Sequence, residues 1–491
     1  LWRRGEVKRL LTWMQSLPPL RCGENPRLDV LYAWTLLLSG SDLENVEALV
    51  ETMEKQWNDT ATSELRGDIA ALRARIAAFH NDAPQAGAYS RLALQTLPKE
   101  RALLRADIAF GLSGTCRNLD EAYRMFAEAL HISQALGSLR PAMFSSRYLA
   151  ATCVDQGRLI EAEAILRQAL RMAGPDERPR VPAAGVIYIG LAELFYERNA
   201  LVEALRYALL GVELGERSGE IKAVLAGYCM LALIFAARGE IERGWQELWK
   251  AEHVAAVGKV LWLRERVASI AMHLSLLQHD LEGAKRALSK LNVDVDGDIA
   301  QAPGPEQREA RLMLARIWLA EEKYAPVIAL LEPVIELARR EKRRRVILAA
   351  QVLKAIALNG LKERQRAAQI IGEALVAAEP EGFVRLFIDI GPPVQDLLQR
   401  VELLGSAKGY ARKLREAAGG GHDQRELAAG LSEREYEVLQ LVAAGMSNQE
   451  IAEALIVALS TVKAHVRHVC QKLGVQKRVQ AIAKARELGL L

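Results

Sequence analysis

The segment STVKAHVRHVCQKLGV, residues 460–475, concentrates basic, histidine and cysteine side chains near the end of the chain. Its apolar residues repeat at helical spacing and form one stripe, made of Val462, Val466, Val469 and Leu473. The opposite face carries Thr461, Lys463, Ala464, Arg467, His468 and Gln471. From Ser460 to Arg486 the chain has seven Lys or Arg and no Asp or Glu, although its net charge is only +4. A basic face this concentrated predicts a polyanionic partner.

The residues before this segment predict the helices that position it. Ser447 and Glu450 have the spacing of a capping box at the start of a short helix, and Ser432 and Glu435 have it one helix earlier. Two short helices joined by a tight turn, the second of them amphipathic and basic, are typical of a helix-turn-helix. We therefore expect four short helices in residues 430–491, with the basic helix third in order.

A rigid basic helix of this kind can enter the major groove of DNA. Lys463 and Arg467 lie one turn apart and would point together at base edges, with Ala464 close enough to touch a thymine methyl group. Phosphate contacts are expected from Thr461, His465, Ser447 and Asn448.

Two other interpretations of the segment are available. A small helical bundle with a solvated basic face would explain the charge, but it would not explain why capped helices and one-sided charge occur together. His465, His468 and Cys470 could share a metal ion, yet no fourth ligand lies nearby and Cys470 is adjacent to the apolar stripe. We therefore expect a DNA-reading surface and no metal site.

A repeat of about 40 residues governs the chain before this domain. A large apolar residue, two variable residues and a small residue recur as LDEA at 119, LIEA at 159, LVEA at 201, IERG at 241 and LEGA at 281, with weaker forms at 43, 324 and 364. Each signature predicts the start of a helix that follows another helix, usually after a Gly or Asn. Since stacked helix pairs bury a continuous core, we expect an all-α fold in which residues 1–414 form a tetratricopeptide-like (TPR-like) α-solenoid.

The solenoid arm is expected to bind something on its concave surface, which suits a peptide, a protein or a small ligand. Tyr188 and Tyr228 could line that surface, but packing between repeats is the favoured interpretation, and it applies equally to Trp245 and Trp249. After the arm, residues 415–429 include three consecutive glycines at 419–421 and predict a flexible linker.

Two charged stretches in the arm have more than one interpretation. NVDVDGDIAQAP, from 292, has acids at alternate positions like a calcium loop, but Pro303 stands where such a loop needs a bidentate Glu. An acidic connection between helices is therefore expected. RREKRRR, residues 339–345, is expected to be a solvated basic turn between two helices, with a nucleic-acid role as the less favoured interpretation.

Composition places the chain among globular proteins, because 51% of its 491 residues are hydrophobic and 26% are charged. No apolar run approaches the ~20 residues that a membrane span needs. Five scattered cysteines without a Cys-x-x-Cys pair favour reduced thiols and a cytoplasmic location. No phosphate loop or nucleophile–base constellation stands out, so we expect neither an enzyme nor a cofactor in this chain.

The stretch LSEREYEVLQLVAAGMSNQEIAEAL, followed by STVKAHVRHVCQKLGV, resembles the LuxR-type DNA-binding domain. The positions that match its pattern are Leu431, Glu435, Val438, Leu439, Gly445, Ser447, Asn448, Glu450, Ile451, Ala452, Leu455, Thr461, Val462, Lys463, His465, Lys472, Leu473 and Arg478. Ala458 departs from the pattern, since many members have a Ser cap there. The resemblance implies that Lys463, Ala464 and Arg467 face bases, that Lys472 contributes to DNA binding, and that residues 478–488 form a dimer contact.

A helical-repeat arm before such a domain is similar to the large MalT-like family of transcription activators. NPRLDVLYAWTLLLSG near the start and EGFVRLFIDIGPPVQDLL from 381 also resemble segments of that family. Members carry an ATP-binding module ahead of the arm. Because this chain begins without Met and has no phosphate loop, it is expected to be the C-terminal part of such a protein. The resemblance thus implies ATP in a missing N-terminal module.

The favoured function is a signal-responsive DNA-binding transcription regulator, with activation as the expected direction. Its expected partners are double-stranded promoter DNA and, on the arm, a small-molecule inducer or a protein. The alternative function is a protein-interaction scaffold, in which the solenoid binds a partner protein and DNA binding is incidental.

Overall fold

The computed structural model describes residues 7–487 except 17–24, 40–42, 58–61, 81, 102–103, 106–107, 109–118, 136, 175–180, 258–260, 292–307, 405–406, 419–432, 456 and 476. This part of the chain consists of helices and their connections, without a β-strand. The all-α prediction is therefore confirmed. The acidic stretch from 292, the glycines at 419–421 and Ser432 lie outside the described residues.

The arm is a series of helix pairs, each packed against the next. Its first part contains α1 (Val7–Gln15), α2 (Pro26–Ser39), α3 (Leu43–Trp57), α4 (Ser63–Phe79), α5 (Ala83–Thr96), α6 (Leu119–Ala135), α7 (Leu139–Asp155), α8 (Leu159–Ala173), α9 (Gly185–Glu197) and α10 (Leu201–Ser218). The second part contains α11 (Ile221–Ala237), α12 (Ile241–Val257), α13 (Leu261–Leu277), α14 (Leu281–Ser289), α15 (Arg308–Ala320), α16 (Tyr324–Arg340), α17 (Arg344–Gly360), α18 (Arg364–Ala378), α19 (Arg385–Ile388), α20 (Pro392–Leu404) and α21 (Lys408–Ala418).

Each repeat signature opens the second helix of a pair. The strong signatures begin α6, α8, α10, α12 and α14, and the weaker ones begin α3, α16 and α18. The small residue at the fourth position is fully buried in several repeats, with 0% exposure at Ala122, Ala162, Ala204, Ala284 and Ala367. A side chain this small lets neighbouring helices approach closely, which confirms the predicted α-solenoid of helix pairs.

The arm closes on itself, because its early helices pack against its late ones. One apolar cluster combines Phe126, Leu149 and Leu191 with Leu348 and Phe383. Two hydrogen bonds cross the same junction. Arg343 donates to Asp155, which lies 188 positions earlier in the chain, and Lys342 donates to Asp120, which lies 222 positions earlier. The helices from α6 to α19 therefore form a closed turn of superhelix rather than an open arc.

A buried cluster of ion pairs, here called the clasp, fastens this junction. The carboxylate of Glu341 accepts hydrogen bonds from Arg308 at 2.5 Å and from Arg343 at 3.1 Å. These three side chains are only 2%, 8% and 8% exposed, respectively. Arg343 also reaches Asp155 of α7 at 2.9 Å. Burial removes water from Glu341, Arg308 and Arg343, whereas Asp155 is 38% exposed, so the three buried charges are stabilising only while they compensate one another.

The expected basic turn between two helices at 339–345 is confirmed, and its side chains Arg339, Arg340, Lys342 and Arg344 are exposed, but Arg343 is buried and Arg345 is half-buried. This turn lies against α6 and α7, so its cations pair with acids from the start of the ring: Arg343 with Asp155, and Lys342 with Asp120. Arg344 donates to the carbonyl oxygen of Ala377 at 3.0 Å, and Arg345 points into the interior of the arm.

A second set of contacts joins α9 to the segment around α19. The amides of Val384 and Leu386 donate to Glu197, at 2.9 Å to its carbonyl oxygen and at 2.8 Å to its carboxylate, respectively. The Tyr196 hydroxyl donates to Asp389 at 2.7 Å. These contacts hold the two ends of the ring in a fixed position relative to each other.

The C-terminal domain consists of α22 (Glu433–Ala443), α23 (Asn448–Ala454), α24 (Leu459–Lys472) and α25 (Arg478–Glu487), as expected. Two apolar clusters between these helices hold them together. The domain touches the arm through α22, where Glu437 pairs with Arg238 at the end of α11, and through Val202 of α10. At the end of the arm, α21 runs past residue 414, the predicted boundary with the linker.

Replacing Glu341 by Gln should destabilise the arm by about 3 kcal/mol, because Arg308 and Arg343 would remain buried without their carboxylate. Urea unfolding followed by circular dichroism measures this change. Glu336→Gln is the matched control, since its partner Arg340 has a 75% exposed side chain and the pair should contribute less than ~1 kcal/mol. Equal effects of the two substitutions would show that the clasp does not hold the ring closed.

Candidate nucleic-acid interface

The helix-turn-helix begins with a capped α23. Ser447 Oγ accepts a hydrogen bond from the Glu450 amide at 3.3 Å, and the Glu450 carboxylate accepts one from the Ser447 amide at 2.6 Å. This capping box confirms the sequence prediction. Since the Ser447 amide is already used, a phosphate at this end of α23 would be contacted by the Ser447 hydroxyl group, the Asn448 side chain and the first backbone amides of the helix.

The faces of α24 divide as the sequence predicts. Val462, Val469 and Leu473 are 0%, 3% and 7% exposed and pack against the other helices of the domain. The opposite face is exposed, and it presents Thr461, Lys463, Ala464 and Arg467. A rigid helix that is anchored on one side and basic on the other can insert into the major groove without unfolding.

Two of the basic side chains expected on the DNA-binding face already contact other residues of the domain. Lys472 Nζ lies 2.5 Å from a carboxylate oxygen of Glu435, which is only 4% exposed. Arg478 donates to the carbonyl oxygens of Val442 and Met446 and, at 3.5 Å, to Asn448. Lys472 therefore ties α24 to α22, a structural role that its place in the basic face did not reveal.

The histidines and the cysteine of α24 lie in different surroundings. His465 is half-buried, and its Nδ1 atom is buried without a hydrogen-bond partner in the described structure, so a phosphate could be contacted only through Nε2. His468 is exposed, with Nδ1 3.7 Å from Glu435. Cys470 is buried in an apolar cluster, where burial raises the pKa of its thiol. Within the described ranges, no three His, Cys, Asp or Glu side chains are arranged to hold a metal ion.

Contact with the arm leaves the predicted DNA-reading face open. The domain leans on the arm through Glu437 of α22 and the cluster near Val202, whereas Lys463, Ala464 and Arg467 remain exposed. Arg434 connects this contact to the turn before α24, because it donates to Glu437 at 2.6 Å and to the Leu455 carbonyl oxygen at 3.0 Å.

A cavity of about 1290 Å³, partly open to solvent, lies on the inner side of the ring of the arm. Its wall comes mainly from the first helix of successive pairs, α7, α9, α11, α13, α15 and α17, and from α19. The wall carries many charged groups. Glu193 lies between Arg147 at 2.5 Å and Arg266 at 2.6 Å, and the two guanidinium groups lower the pKa of this carboxyl against the effect of burial.

Sequence reasoning missed these cavity residues, although it had a usable signal. α9 reads GVIYIGLAELFYE, an apolar helix interrupted only by Glu193 and Glu197, which lie one turn apart. Charges on an otherwise buried helix indicate either internal ion pairs or a polar cavity.

The aromatic residues singled out in the arm have other roles. Tyr188 is buried and stacks on Tyr207 at 5.9 Å, which confirms packing. Tyr228 packs partly against the core and donates to Glu216 at 2.7 Å. Trp245 is partly buried as well, but Trp249 is 67% exposed, so the packing interpretation is wrong for Trp249.

Comparison with known families gives two matches. Residues 67–403 match the MalT-like TPR region, and residues 429–485 match the luxR family of bacterial regulatory proteins. Because the first match covers more than half of the chain, the chain belongs to the family with the MalT-like TPR region. Both resemblances stated from the sequence are confirmed.

Two relatives match almost the whole chain. The HTH-type transcriptional regulators MalT of Vibrio parahaemolyticus serotype O3:K6 (strain RIMD 2210633) and Vibrio campbellii (strain ATCC BAA-1116) are each 23% identical to it. The match covers 99% of this chain but 57% of each relative, so the chain spans just over half of their length. Among solved structures, a Rap protein complexed with competence and sporulation factor is 13% identical, with a TM-score of 0.46 over 82% of this chain and 99% of that one.

These matches confirm the prediction of a DNA-binding transcription regulator. The names of the relatives indicate a regulatory rather than a catalytic role. In the described part of the chain, no helix combines the length and the apolar character needed to cross a membrane.

Substituting Ala458 by Ser should stabilise α24 by about 1 kcal/mol. Ala458 is the N-cap residue, with an extended backbone (φ −65°, ψ 145°) and no side-chain cap, so a Ser hydroxyl could accept a hydrogen bond from the first turn. Amide hydrogen exchange of α24 in the whole chain measures the gain. Ala256→Ser, at an exposed position within α12, is the control and should give no increase in the protection of α24.

Proposed function

We propose that this chain is the signal-sensing and DNA-reading part of a transcription activator, and that α24 reads promoter DNA in the major groove. The observation that carries the proposal is the exposed row of Lys463, Ala464 and Arg467 on a helix whose other side is anchored in the domain. Exposed cations would first attract the duplex, and base contacts would then select the sequence.

Each predicted contact residue has a role in this proposal. Lys463 and Arg467 would donate to guanine O6 and N7, and Ala464 would contact a thymine methyl group. Phosphates would be held by five side chains: the hydroxyl groups of Thr461 and Ser447, the imidazole of His465, the amide of Asn448 and the ammonium group of Lys472. Lys472 would do so while its ion pair with Glu435 keeps α24 in place.

Replacing Lys463 or Arg467 by Ala should weaken binding to the target site by ~1–3 kcal/mol and relax the base preference at one position. The target is obtained first, by selection from random duplexes with the unmodified chain. Affinity for this duplex and for a scrambled one is then titrated at several salt concentrations, because phosphate contacts alone are strongly salt-dependent.

Lys477→Ala serves as the control for charge. Lys477 is exposed but lies outside α24, so replacing it should weaken binding to the selected duplex and to the scrambled duplex equally. If Lys463→Ala and Arg467→Ala behaved like this control, the two residues would not read bases.

The arm is proposed to sense an inducer or a protein partner, and ATP is proposed to act in a module outside this chain. Support for sensing comes from the cavity, which is large enough for a small molecule and lies within the closed ring. The division into an arm (1–414), a linker (415–429) and a DNA-binding domain (430–491) completes the proposal.

Self-association is proposed through α25 within residues 478–488. Val479 is 75% exposed on this helix, and Ala483 is exposed one turn later. Val479→Glu should therefore reduce self-association of the chain by roughly tenfold or more, because it would bury a charge in an apolar contact. Sedimentation equilibrium measures the effect. Val376→Glu, at a 52% exposed valine of α18, is the matched control, and an equal effect there would contradict a contact through α25.

A further inference from the structure

The cavity wall contains two arginines whose charge is not neutralised by an ion pair. Arg316 of α15 donates to His273 Nδ1 at 2.9 Å and to the Asp389 carbonyl oxygen at 3.0 Å. Arg345 of α17 makes no hydrogen bond to any described residue. In this part of the chain, neither guanidinium group lies within 4.0 Å of a carboxylate oxygen.

Several acids of the wall are already engaged elsewhere. Glu193 is shared by Arg147 and Arg266, Asp389 accepts from Arg385 at 3.0 Å, and Asp155 belongs to the clasp. These carboxylates therefore act on the two arginines only at a distance: Asp389 opposes the lowering of the Arg316 pKa by burial, and Asp155 and Glu193 help to raise the pKa of Arg345.

The remaining acids near Arg345 carry less charge than their number suggests. Burial raises the pKa of Glu197 to about 7, so this carboxyl is partly protonated at neutral pH. Burial, followed by the neighbouring Glu309, also raises the pKa of Glu265. Burial lowers the pKa of His273 to about 4, so it adds no positive charge. Against burial, Glu197 and Glu309 still help to raise the pKa of Arg345, so its guanidinium group stays charged within the cavity wall.

We propose that the cavity binds a small organic anion, whose carboxylate or phosphoryl group is held by Arg316 and Arg345, and that this anion is the signal sensed by the arm. This proposal rests on the sensing role proposed above. α15 and α17 are the first helices of adjacent pairs and contact each other, and both arginines line the same cavity. Guanidinium groups match the oxygen geometry of carboxylates and phosphates and bind them through paired hydrogen bonds.

The size of the cavity indicates that the ligand is more than a simple ion. Its volume of about 1290 Å³ exceeds that of a single oxyanion many times over. Apolar side chains, including Phe144, Met313 and Leu353, line the same space. The ligand should therefore carry a non-ionic body beside its anionic group.

The test measures binding of five probes to the whole chain by calorimetry at constant ionic strength. Succinate and glucose 6-phosphate are each paired with a neutral analogue, succinamide and glucose, and inorganic phosphate is the minimal anion. We expect one of the two anionic probes to bind with millimolar affinity and its neutral analogue not to bind. Binding of succinate would indicate a carboxylate ligand, and binding of glucose 6-phosphate would indicate a phosphoryl ligand. Equal binding of a charged probe and its neutral analogue, or no binding of any anion, would overturn the proposal.

Arg316→Gln and Arg345→Gln should each reduce the affinity for the responding anion by roughly tenfold or more, since each removes a charge-assisted contact. Arg364→Gln is the matched control, because Arg364 is exposed on the outer helix α18. Unchanged anion affinity in the two cavity variants would overturn the assigned site. Thermal unfolding without ligand shows whether a variant has merely lost its fold.

The dependence on pH gives a second readout at the same site. Glu197 faces Arg345 of α17, Arg385, Asp389 and the Leu386 amide around α19, and Tyr410 of α21. Lowering the pH through about 7 protonates Glu197 and removes a negative charge beside the anion, so affinity should rise. Glu197→Gln should flatten this rise, whereas a rise of the same size in Glu197→Gln would contradict a site beside Glu197.

Failure of the sensing site and failure of the regulator proposal can be told apart. The cavity variants leave α24 unchanged, so their affinity for duplex DNA should equal that of the unmodified chain. Anion binding without any DNA binding would support the cavity site and contradict the proposal of a DNA-binding regulator. DNA binding without anion binding would support the regulator and contradict the cavity site.

Discussion

Closure of the arm depends on contacts between its early and late helices, which are made by one apolar cluster and by the clasp around Glu341 and Arg343. Helix pairs of a solenoid touch only their neighbours, so an open arm would have a groove rather than an interior. The clasp joins the turn after α16 to α7, and with this junction closed the first helices face one another across a cavity. Closure also brings the carboxylate of Glu197 to the amide of Leu386.

Much of this architecture could be predicted from the sequence, because the signals are local. A signature such as LIEA at 159 marks the beginning of a helix whose fourth residue must be small, and Ala162 is fully buried. The apolar stripe of α24 likewise separates Val462 from Lys463 within one helical turn. Helix starts and the inner and outer faces of helices follow from spacing of this kind.

Other features could not be predicted, because they depend on residues far apart in the chain. The period of a repeat does not specify how far successive pairs rotate, so it could not show that Arg343 meets Asp155 across 188 positions. Lys472 likewise looked like one more cation until α22 placed Glu435 beside it. A Gly between the two helices of a pair was not a signal in every repeat. His279, Glu322 and Lys362 adopt the left-handed backbone there, which Gly157 and Gly239 adopt in other repeats.

Closure of the ring also restricts how this arm can evolve. Open solenoids can gain or lose a repeat by duplication or deletion, because each new pair needs only its two neighbours. Here, one extra pair between Asp155 and Arg343 would carry the two partners apart by the width of a pair and break the ion pair that joins the two ends of the ring. The number of repeats in this stretch is therefore set by geometry, and viable change is confined to substitutions and to loop lengths on the outer surface.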